Sequence, residues 1–217
     1  MINFLNNLAD WIYKKKCYFC KSSKESSKMC SKCYNELEHI LPPNINRIVE
    51  GKKIYCAGVY SKNLQKLIRG LKYHRQRDLA FFLAKFMWEY FKMITDDRNF
   101  QIVPVPIYPK RLKKRKYNHM DIVAKHLGDL SGMEVNLDLI KRVKDTKPQY
   151  NLKKHERIEN LQGAFEVDKT RLTEGKQILL IDDICTTGTT FEEMIKTLKS
   201  SGIDDIVCLS ATTPFGE

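Results

Sequence analysis

Two adjacent carboxylates followed by a Thr/Gly turn are the residues of this chain best suited to chemistry. The carboxylates are Asp182 and Asp183, and the turn contains Cys185, Thr186, Thr187, Gly188, Thr189 and Thr190. Backbone N–H groups, hydroxyls and the positive end of the following helix dipole make such a turn an anion site. Phosphate at the turn and a hydroxylated, metal-bound sugar at the carboxylates would together describe a ribose 5-phosphate. Helix capping by Thr189 or Thr190 is the alternative, but a cap needs only one side chain.

The elements around this motif predict a parallel α/β sheet. Residues 178–181 are apolar without alternation, which is typical of a central parallel strand buried on both faces. Ligands of open α/β sheets bind outside the carboxyl ends of the strands, which is where the two carboxylates fall. Further strands are predicted at 54–60, 101–105 and 206–210, and helices at 64–71, 79–94, 120–130 and 191–200. With 217 residues, the chain can hold one such core and a small appendage.

Four closely spaced cysteines predict a metal module near the N-terminus. Cys17 and Cys20 form one C-x-x-C pair, Cys30 and Cys33 form a second, and nine residues separate the pairs. This spacing indicates a closed, structural Zn²⁺ site whose metal supplies folding energy. Disulfides are the alternative, and they would require an oxidising compartment. We interpret Cys185, which has no histidine near it in sequence, as a small packing residue.

A proline pair sets the predicted domain boundary. A helix is expected from residue 31 to residue 41, where Pro42 and Pro43 stop it. The predicted domains are therefore residues 1–45, an N-terminal helix with the four-cysteine zinc-finger module, and residues 46–217, the α/β domain.

Charge is the second informative feature, because the formal net charge is +12. Between a predicted strand and a predicted helix, the segment 110–116 carries six cations, Lys110, Arg111, Lys113, Lys114, Arg115 and Lys116. Asn118 and Asp121 can cap that helix. Cations at a helix N-terminus oppose the macrodipole by roughly 0.3–1 kcal/mol each, so we expect the cluster to bind an anion, either diphosphate or a nucleic-acid backbone. A solvated loop is the alternative. A second basic stretch, 141–157, contains Tyr150 and is compatible with single-strand stacking.

The motifs together resemble a known family. Segment 178–190 resembles the 5-phosphoribosyl 1-diphosphate (PRPP) signature of type I phosphoribosyltransferases. With the cysteine pairs, the Val-Pro-Val-Pro strand end at 103–106 and the Arg-rich turn that follows, nearly the whole chain resembles the ComF/GntX family. Residues at that family's spacing are Arg142, Thr146, Gln149, Leu152, Arg157, Asn160, Leu161, Gly163, Ala164 and Phe165. The implied fold is a type I phosphoribosyltransferase-like parallel sheet flanked by helices, with a small N-terminal zinc module.

The resemblance also implies a site. PRPP or another phosphorylated ribose would bind with Mg²⁺, with Asp182 and Asp183 as the catalytic carboxylates. Arg111, Arg115 and Asn118 would lie near the diphosphate, and residues 142–165 would form a flexible hood. The remaining basic residues, Lys113, Lys114 and Lys116, would contact diphosphate or nucleic acid. The family commonly has glycine where this chain has Lys116, which gives charge but not an unhindered turn.

The implied role is the handling of single-stranded DNA in natural transformation, with a DNA translocase as partner. An active phosphoribosyltransferase is the alternative, although no sequence feature identifies its acceptor. No apolar run reaches the ~18 residues of a membrane span and no signal peptide is recognisable, so we expect a cytoplasmic protein. An apolar stripe between Ile2 and Ile12 is expected to dock on the protein body. Trp11 and the lysines at 14–16 keep peripheral association with the inner face of the membrane as an alternative. His119 and His155 are interpreted as surface or capping residues.

Overall fold

The computed structural model of the chain describes residues 15–40, 45–146 and 154–214. The apolar stripe near the N-terminus, the proline pair and Tyr150 lie outside these ranges. Contacts divide the chain into one compact unit that ends at Glu38 and another that begins at His39. The predicted boundary after residue 45 stays a prediction. Among the described helices, none has both the length and the apolar character needed to cross a membrane.

The part of the first unit that the structure describes, from residue 15 onward, is built from tight turns and one short helix, α1 (Ser31–Asn35). Its turns are closed by main-chain hydrogen bonds, such as Cys17 N–H to Ser22 O at 2.8 Å and Tyr18 N–H to Lys28 O at 2.8 Å. The predicted helix to residue 41 is wrong, since α1 ends at Asn35. Farther along, Ile40 N–H donates to Ala57 O at 2.9 Å. Residues 39–40 therefore give their hydrogen bonds to a strand instead of extending a helix.

The second unit contains two sheets and the helices that flank them. Its strands are β1 (Ile45–Val49), β2 (Lys52–Val59), β3 (Phe100–Pro104), β4 (Glu134–Val135), β5 (Ile140–Arg142), β6 (Phe165–Val167), β7 (Gln177–Ile184) and β8 (Ile206–Thr213). Its α-helices are α2 (Lys62–Tyr73), α3 (Leu79–Ile94), α4 (Pro109–Arg115), α5 (His119–Ser131), α6 (Lys154–Leu161) and α7 (Thr189–Ser200), with a short 3-10 helix at Lys169–Arg171.

The main sheet has the strand order β1-β2-β8-β7-β3-β4. Every neighbouring pair is parallel except β1 with β2, which is antiparallel. The predicted parallel sheet flanked by helices is therefore confirmed, with one antiparallel edge strand. Strands β5 and β6 form a separate antiparallel pair that was not predicted.

Strand β7 lies in the middle of the sheet, as the unbroken apolar run predicts. Ile178, Leu179, Leu180 and Ile181 are all fully buried. Ile178 and Leu180 join a core cluster with Phe191 and Met194 of α7. Because side chains alternate along a strand, Leu179 and Ile181 face the opposite side of the sheet. Helices on both faces thus fix β7 and place its carboxyl end, where Asp182 and Asp183 lie.

The basic segment 110–116, which the sequence places between a predicted strand and a predicted helix, is itself largely helical. Helix α4 starts at Pro109, whose fixed φ and missing N–H suit the first helical position. It closes at Lys116 in the left-handed conformation, with φ = 70°. The missing glycine therefore does not prevent the turn; Lys116 adopts the conformation at a steric cost of roughly 1–2 kcal/mol.

Candidate functional site

The two predicted carboxylates lie at the end of β7 but have different surroundings. Asp182 is half-buried and borders the depression formed by the Thr/Gly turn. Asp183 is 3% exposed, and Thr212 Oγ1 donates to its main-chain oxygen at 3.0 Å. Alternation along the strand sends the two side chains to opposite faces. Asp182 is therefore the carboxylate that a ligand in the turn can reach.

Asp183 is held by two side chains whose role the sequence did not reveal. Lys72, at the end of α2, places Nζ 2.6 Å from Asp183 Oδ2, and His119 Nε2 contacts the same oxygen. Burial by itself would raise the pKa of Asp183, but the Lys72 ammonium and His119 outweigh it and hold that pKa well below its usual range. Burial likewise opposes the charge on Lys72, yet the carboxylates raise its pKa. Asp183 and Lys72 form a buried ion pair.

His119 is buried, in contrast to the prediction of a surface or capping residue. Its Nδ1 lies 3.2 Å from Arg115 Nη1. A guanidinium only donates, so Nδ1 accepts and the ring proton is on Nε2, where it points at Asp183. Burial lowers the pKa of His119, in agreement with this neutral form. The contact between His119 and Asp183 is thus a hydrogen bond from a neutral ring, and it connects Arg115 of α4 to the carboxylate pair.

Asp182 titrates near neutrality. Burial, together with the charge of Asp183, raises its pKa to about 7. Lys72 and Arg142 act in the opposite direction but do not offset burial. A divalent cation or a hydroxyl donor at Asp182 would favour the ionised carboxylate.

The Thr/Gly turn forms the anion site that the sequence predicts in outline. Cys185 is 2% exposed, and its N–H donates to Thr212 O at 2.8 Å. The main-chain N–H groups that a ligand could use are therefore those that follow Cys185 in the turn. Within the described ranges, the N–H groups of Thr186, Thr187 and Thr189 donate to no residue. Gly188 has φ = 79°, a conformation that glycine adopts without steric cost, and α7 begins at the next residue.

Two arginines from distant parts of the chain hold this turn. Arg157 of α6 donates from Nη1 to Thr186 Oγ1 at 3.1 Å. Arg47 of β1 donates from Nη1 to Thr187 O at 3.4 Å. Both guanidinium groups therefore lie beside the turn, and their charge favours an anion there.

Two further arginines converge on Thr146, near the start of the expected hood. Arg111 Nη2 donates to Thr146 O at 2.5 Å, and Arg142 donates to Thr146 Oγ1. Arg142 is 8% exposed, and its Nε has no hydrogen-bond partner among the residues that the structure describes. Burial first and Arg111 second lower the pKa of Arg142 to about 10, so it stays charged at neutral pH. Two guanidinium groups that bind the same residue favour a bound anion between or beside them.

The other predicted anion ligands are distributed along α4 and the turn after it. Lys113, Lys114 and Lys116 are exposed. Asn118 is buried and caps α5, accepting from Met120 N–H at 3.2 Å and donating to Asp121 Oδ1 at 2.6 Å. The predicted cap is confirmed. The predicted contact of Asn118 with diphosphate stays a prediction, since its side chain is already used within the fold.

The four cysteines of the first unit are close enough to hold one metal ion. All four Sγ atoms lie within 4.8 Å of one another, and those of Cys20 and Cys30 are 3.6 Å apart. Zn–S bonds of about 2.3 Å in a tetrahedron put sulfurs about 3.8 Å apart, so the cluster fits a metal such as zinc. Burial opposes a thiolate at Cys17, but hydrogen bonds from backbone groups lower its pKa to about 6.

Lys72, His119 and Arg47 are the site residues that the sequence interpretation missed. One signal was present for Lys72. It follows Leu64 and Ile68 at intervals of four residues, so it falls on the apolar face of α2, where a lysine needs a buried partner. Arg47 and His119 gave no such signal, because their positions depend on strand pairing and loop packing.

Comparison with known proteins agrees with this geometry. Residues 119–211 match the family described as phosphoribosyl transferase domain. The chain is 29% identical to Competence protein F of Haemophilus influenzae, over 88% of this chain and 86% of that protein. It is 27% identical to DNA utilization protein YhgH of Salmonella typhimurium, over 80% and 72%, and 26% identical to Competence protein ComFC of Streptococcus pneumoniae, over 86% and 88%. The resemblance predicted from the sequence is confirmed.

Proposed function

We propose that the chain binds PRPP or another phosphorylated ribose together with Mg²⁺, because residues 119–211 match a phosphoribosyl transferase domain and most of the chain is similar to competence proteins. The observation that carries the proposal is the turn at 186–190, where the N–H groups of Thr186, Thr187 and Thr189 donate to no residue that the structure describes and two arginines lie beside it. A phosphate monoester matches this arrangement in size, charge and hydrogen-bond acceptors.

Each part of the ligand has a group that suits it. Asp182 would accept hydrogen bonds from the ribose hydroxyls, while Asp183 stays paired with Lys72 and His119 and keeps the strand end in place. Arg111 and Arg142 would lie beside the diphosphate. Hard carboxylate and phosphate oxygens are the ligands that Mg²⁺ prefers, so Asp182 and the diphosphate fit this ion. Bound there, Mg²⁺ would neutralise phosphate charge.

Calorimetry tests this part of the proposal. PRPP with Mg²⁺ should bind at one site in the wild type, and Asp182→Asn should weaken it at least about tenfold, as expected for a lost charge-assisted contact of about 1.5–3 kcal/mol. Asp204→Asn is the matched control, because Asp204 is exposed, lies just before β8 at the end of the strands opposite the turn, and pairs with the half-buried Lys52. Equal affinities of the two variants would contradict the assignment.

The pH dependence gives a second test. The ionised carboxylate of Asp182 binds Mg²⁺ and accepts hydrogen bonds from hydroxyls more strongly than the protonated form does, so affinity should rise as the pH increases through about 7. Phosphate groups of the ligand also titrate, and comparison with Asp182→Asn separates the two contributions. A wild-type profile identical in shape to that of the variant would show that Asp182 does not take part.

We further propose that the protein handles single-stranded DNA during natural transformation. Three observations support this proposal: the net charge of +12, the exposed lysines of α4, and the similarity of the chain to proteins named for competence and DNA utilization. A DNA translocase would be its partner, at the inner face of the membrane. Titration of a labelled oligonucleotide at two salt concentrations should give an affinity that falls steeply with salt and depends little on sequence. Absence of binding at low salt would contradict it.

Catalytic transfer to an acceptor is the alternative. In that reaction the acceptor would attack the anomeric carbon, the bond to the diphosphate oxygen would break, and diphosphate would leave with the electron pair. The described residues would provide contacts for phosphate, ribose and diphosphate in this proposal, and among them we recognise no pocket for an acceptor. Diphosphate release from PRPP that requires an added acceptor, and that is lost in Asp182→Asn, would favour the alternative.

A further inference from the structure

An exposed tyrosine follows the lysine that pairs with Asp183 and lies beside the basic helix α4. Tyr73 is the last residue of α2, and 62% of it is exposed. The preceding residue, Lys72, reaches inward to Asp183. The ring of Tyr73 is therefore presented to solvent at the point where α2 approaches the candidate site.

Three contacts bind the end of α2 to the turn that follows α4. The guanidinium carbon of Arg115 lies 5.9 Å from the centroid of the Tyr73 ring. The hydroxyl of Tyr117 donates to Leu71 O, and Arg77 stacks on the Tyr117 ring at 4.4 Å. Segments 69–77 and 109–116 are thus neighbours in space, although more than thirty residues separate them in sequence.

These two segments together form a surface of one sign. They contain ten lysines and arginines, four in 69–77 and six in 109–116, and no aspartate or glutamate. Lys72 and Lys110 pair with Asp183 and Asp145. Within the described part of the chain, no carboxylate pairs with the exposed cations Arg75, Lys113, Lys114 and Lys116. Mutual repulsion among these cations does not stabilise the fold, so the surface suits an extended polyanion.

We propose that Tyr73 is a stacking platform for a base of single-stranded nucleic acid, whose phosphates follow Arg75, Arg77 and the lysines of α4. An open aromatic ring within a track of cations is the combination by which proteins hold single strands, because every base offers a flat face and every nucleotide a negative charge. A duplex hides its base faces and can use only the cations. The inference rests on the proposed binding of single-stranded DNA and assigns it a location and a mode.

The test compares variants of Tyr73 in the full-length, metal-loaded protein. A fluorescein-labelled oligo-dT of about 20 nucleotides is titrated and followed by anisotropy. Tyr73→Ala should weaken binding by about fivefold to a hundredfold, as expected for the loss of one stacked base. Tyr73→Phe should bind like the wild type. Phe81→Ala is the matched control, since Phe81 is a 39% exposed aromatic on α3 that packs against Phe82 and His126, and it should change nothing.

Salt dependence separates stacking from charge. Stacking releases no counterions, so Tyr73→Ala should keep the wild-type slope of log K against log salt. Lys113→Gln and Arg75→Gln should each reduce that slope by about 0.7, the value for one phosphate contact on a single strand. On duplex DNA, Tyr73→Ala should bind as the wild type does.

Three results would overturn the platform. If the wild type binds the oligonucleotide and Tyr73→Ala binds equally well, the platform is refuted while single-strand binding stands. If Tyr73→Ala loses duplex and single-strand affinity alike, the ring acts through the fold and not by stacking. If Tyr73 matters instead for binding to phosphatidylglycerol vesicles, the surface is a membrane contact. A wild type that binds no single strand would refute the proposed function itself.

Discussion

Replacing Lys72 by methionine removes the cation that pairs with the buried Asp183. The ammonium lies 2.6 Å from Asp183 Oδ2, and the two side chains are 20% and 4% exposed. Methionine keeps most of the volume and the apolar stem, so the change isolates the charge. After the substitution, only the neutral His119 donates to the Asp183 side chain among the described residues.

The size of the effect follows from this burial. Breaking a buried ion pair by removing one partner costs roughly 3–5 kcal/mol. The partial exposure of Lys72 and the remaining hydrogen bond from His119 reduce the loss to about 2–4 kcal/mol. With a urea m-value of about 2 kcal/mol/M, the midpoint of unfolding should fall by about 1–2 M. Protonation of Asp183 relieves the unpaired charge, so the variant should recover stability relative to the wild type as the pH is lowered.

Urea unfolding followed by circular dichroism measures this loss at several pH values. Lys85→Met is the matched control, because Lys85 pairs with Glu89 on an exposed face at 3.7 Å and should contribute no more than about 0.5 kcal/mol. Asp183→Asn added to Lys72→Met should restore part of the stability, since neither member of the former ion pair then carries a charge. If Lys72→Met costs no more than Lys85→Met, the buried pair does not hold the strand end and the reasoning fails.

Three further changes test other parts of the fold. Gly128→Ala should destabilise the protein by about 1–3 kcal/mol, because the new Cβ would lie 2.5 Å from Val135 Cγ2, and an unchanged melting curve would contradict the packing of α5 on β4. Lys116→Gly should leave stability unchanged or raise it by up to about 1 kcal/mol while weakening single-strand binding, and a clear loss of stability would contradict the left-handed turn. A strong chelator should unfold the four-cysteine unit, as followed by protease sensitivity of residues 15–38, and full resistance after metal removal would contradict a structural metal.

The central strand and the turn after it could be predicted from the sequence because their signals are local. An apolar run without alternation specifies a strand covered on both faces, and β7 is such a strand. The helix 79–94 is observed at the predicted bounds, as α3. Cysteine spacing likewise predicts the cluster at Cys17, Cys20, Cys30 and Cys33, since two C-x-x-C turns bring four sulfurs together.

The remainder of the site depends on contacts between distant segments. Arg47 reaches the turn because β1 pairs antiparallel with β2. The sequence of β1 alone does not specify this pairing. His119 is buried because α5 starts beneath Asp183, although its position after a helix cap resembles a surface one. The difference in pKa between Asp182 and Asp183 also depends on contacts with distant segments. Although the two are adjacent in sequence, their pKa values are shifted in opposite directions, because Lys72 and His119 contact the carboxylate of Asp183 directly.

A crystal structure of the protein grown with PRPP and Mg²⁺ would show where the phosphorylated ribose binds. We expect the 5-phosphate within hydrogen-bond distance of the N–H groups at 186–189, the ribose hydroxyls on Asp182, and Asp183 still paired with Lys72. A ligand bound elsewhere, with the turn empty at saturating PRPP, would contradict this expectation.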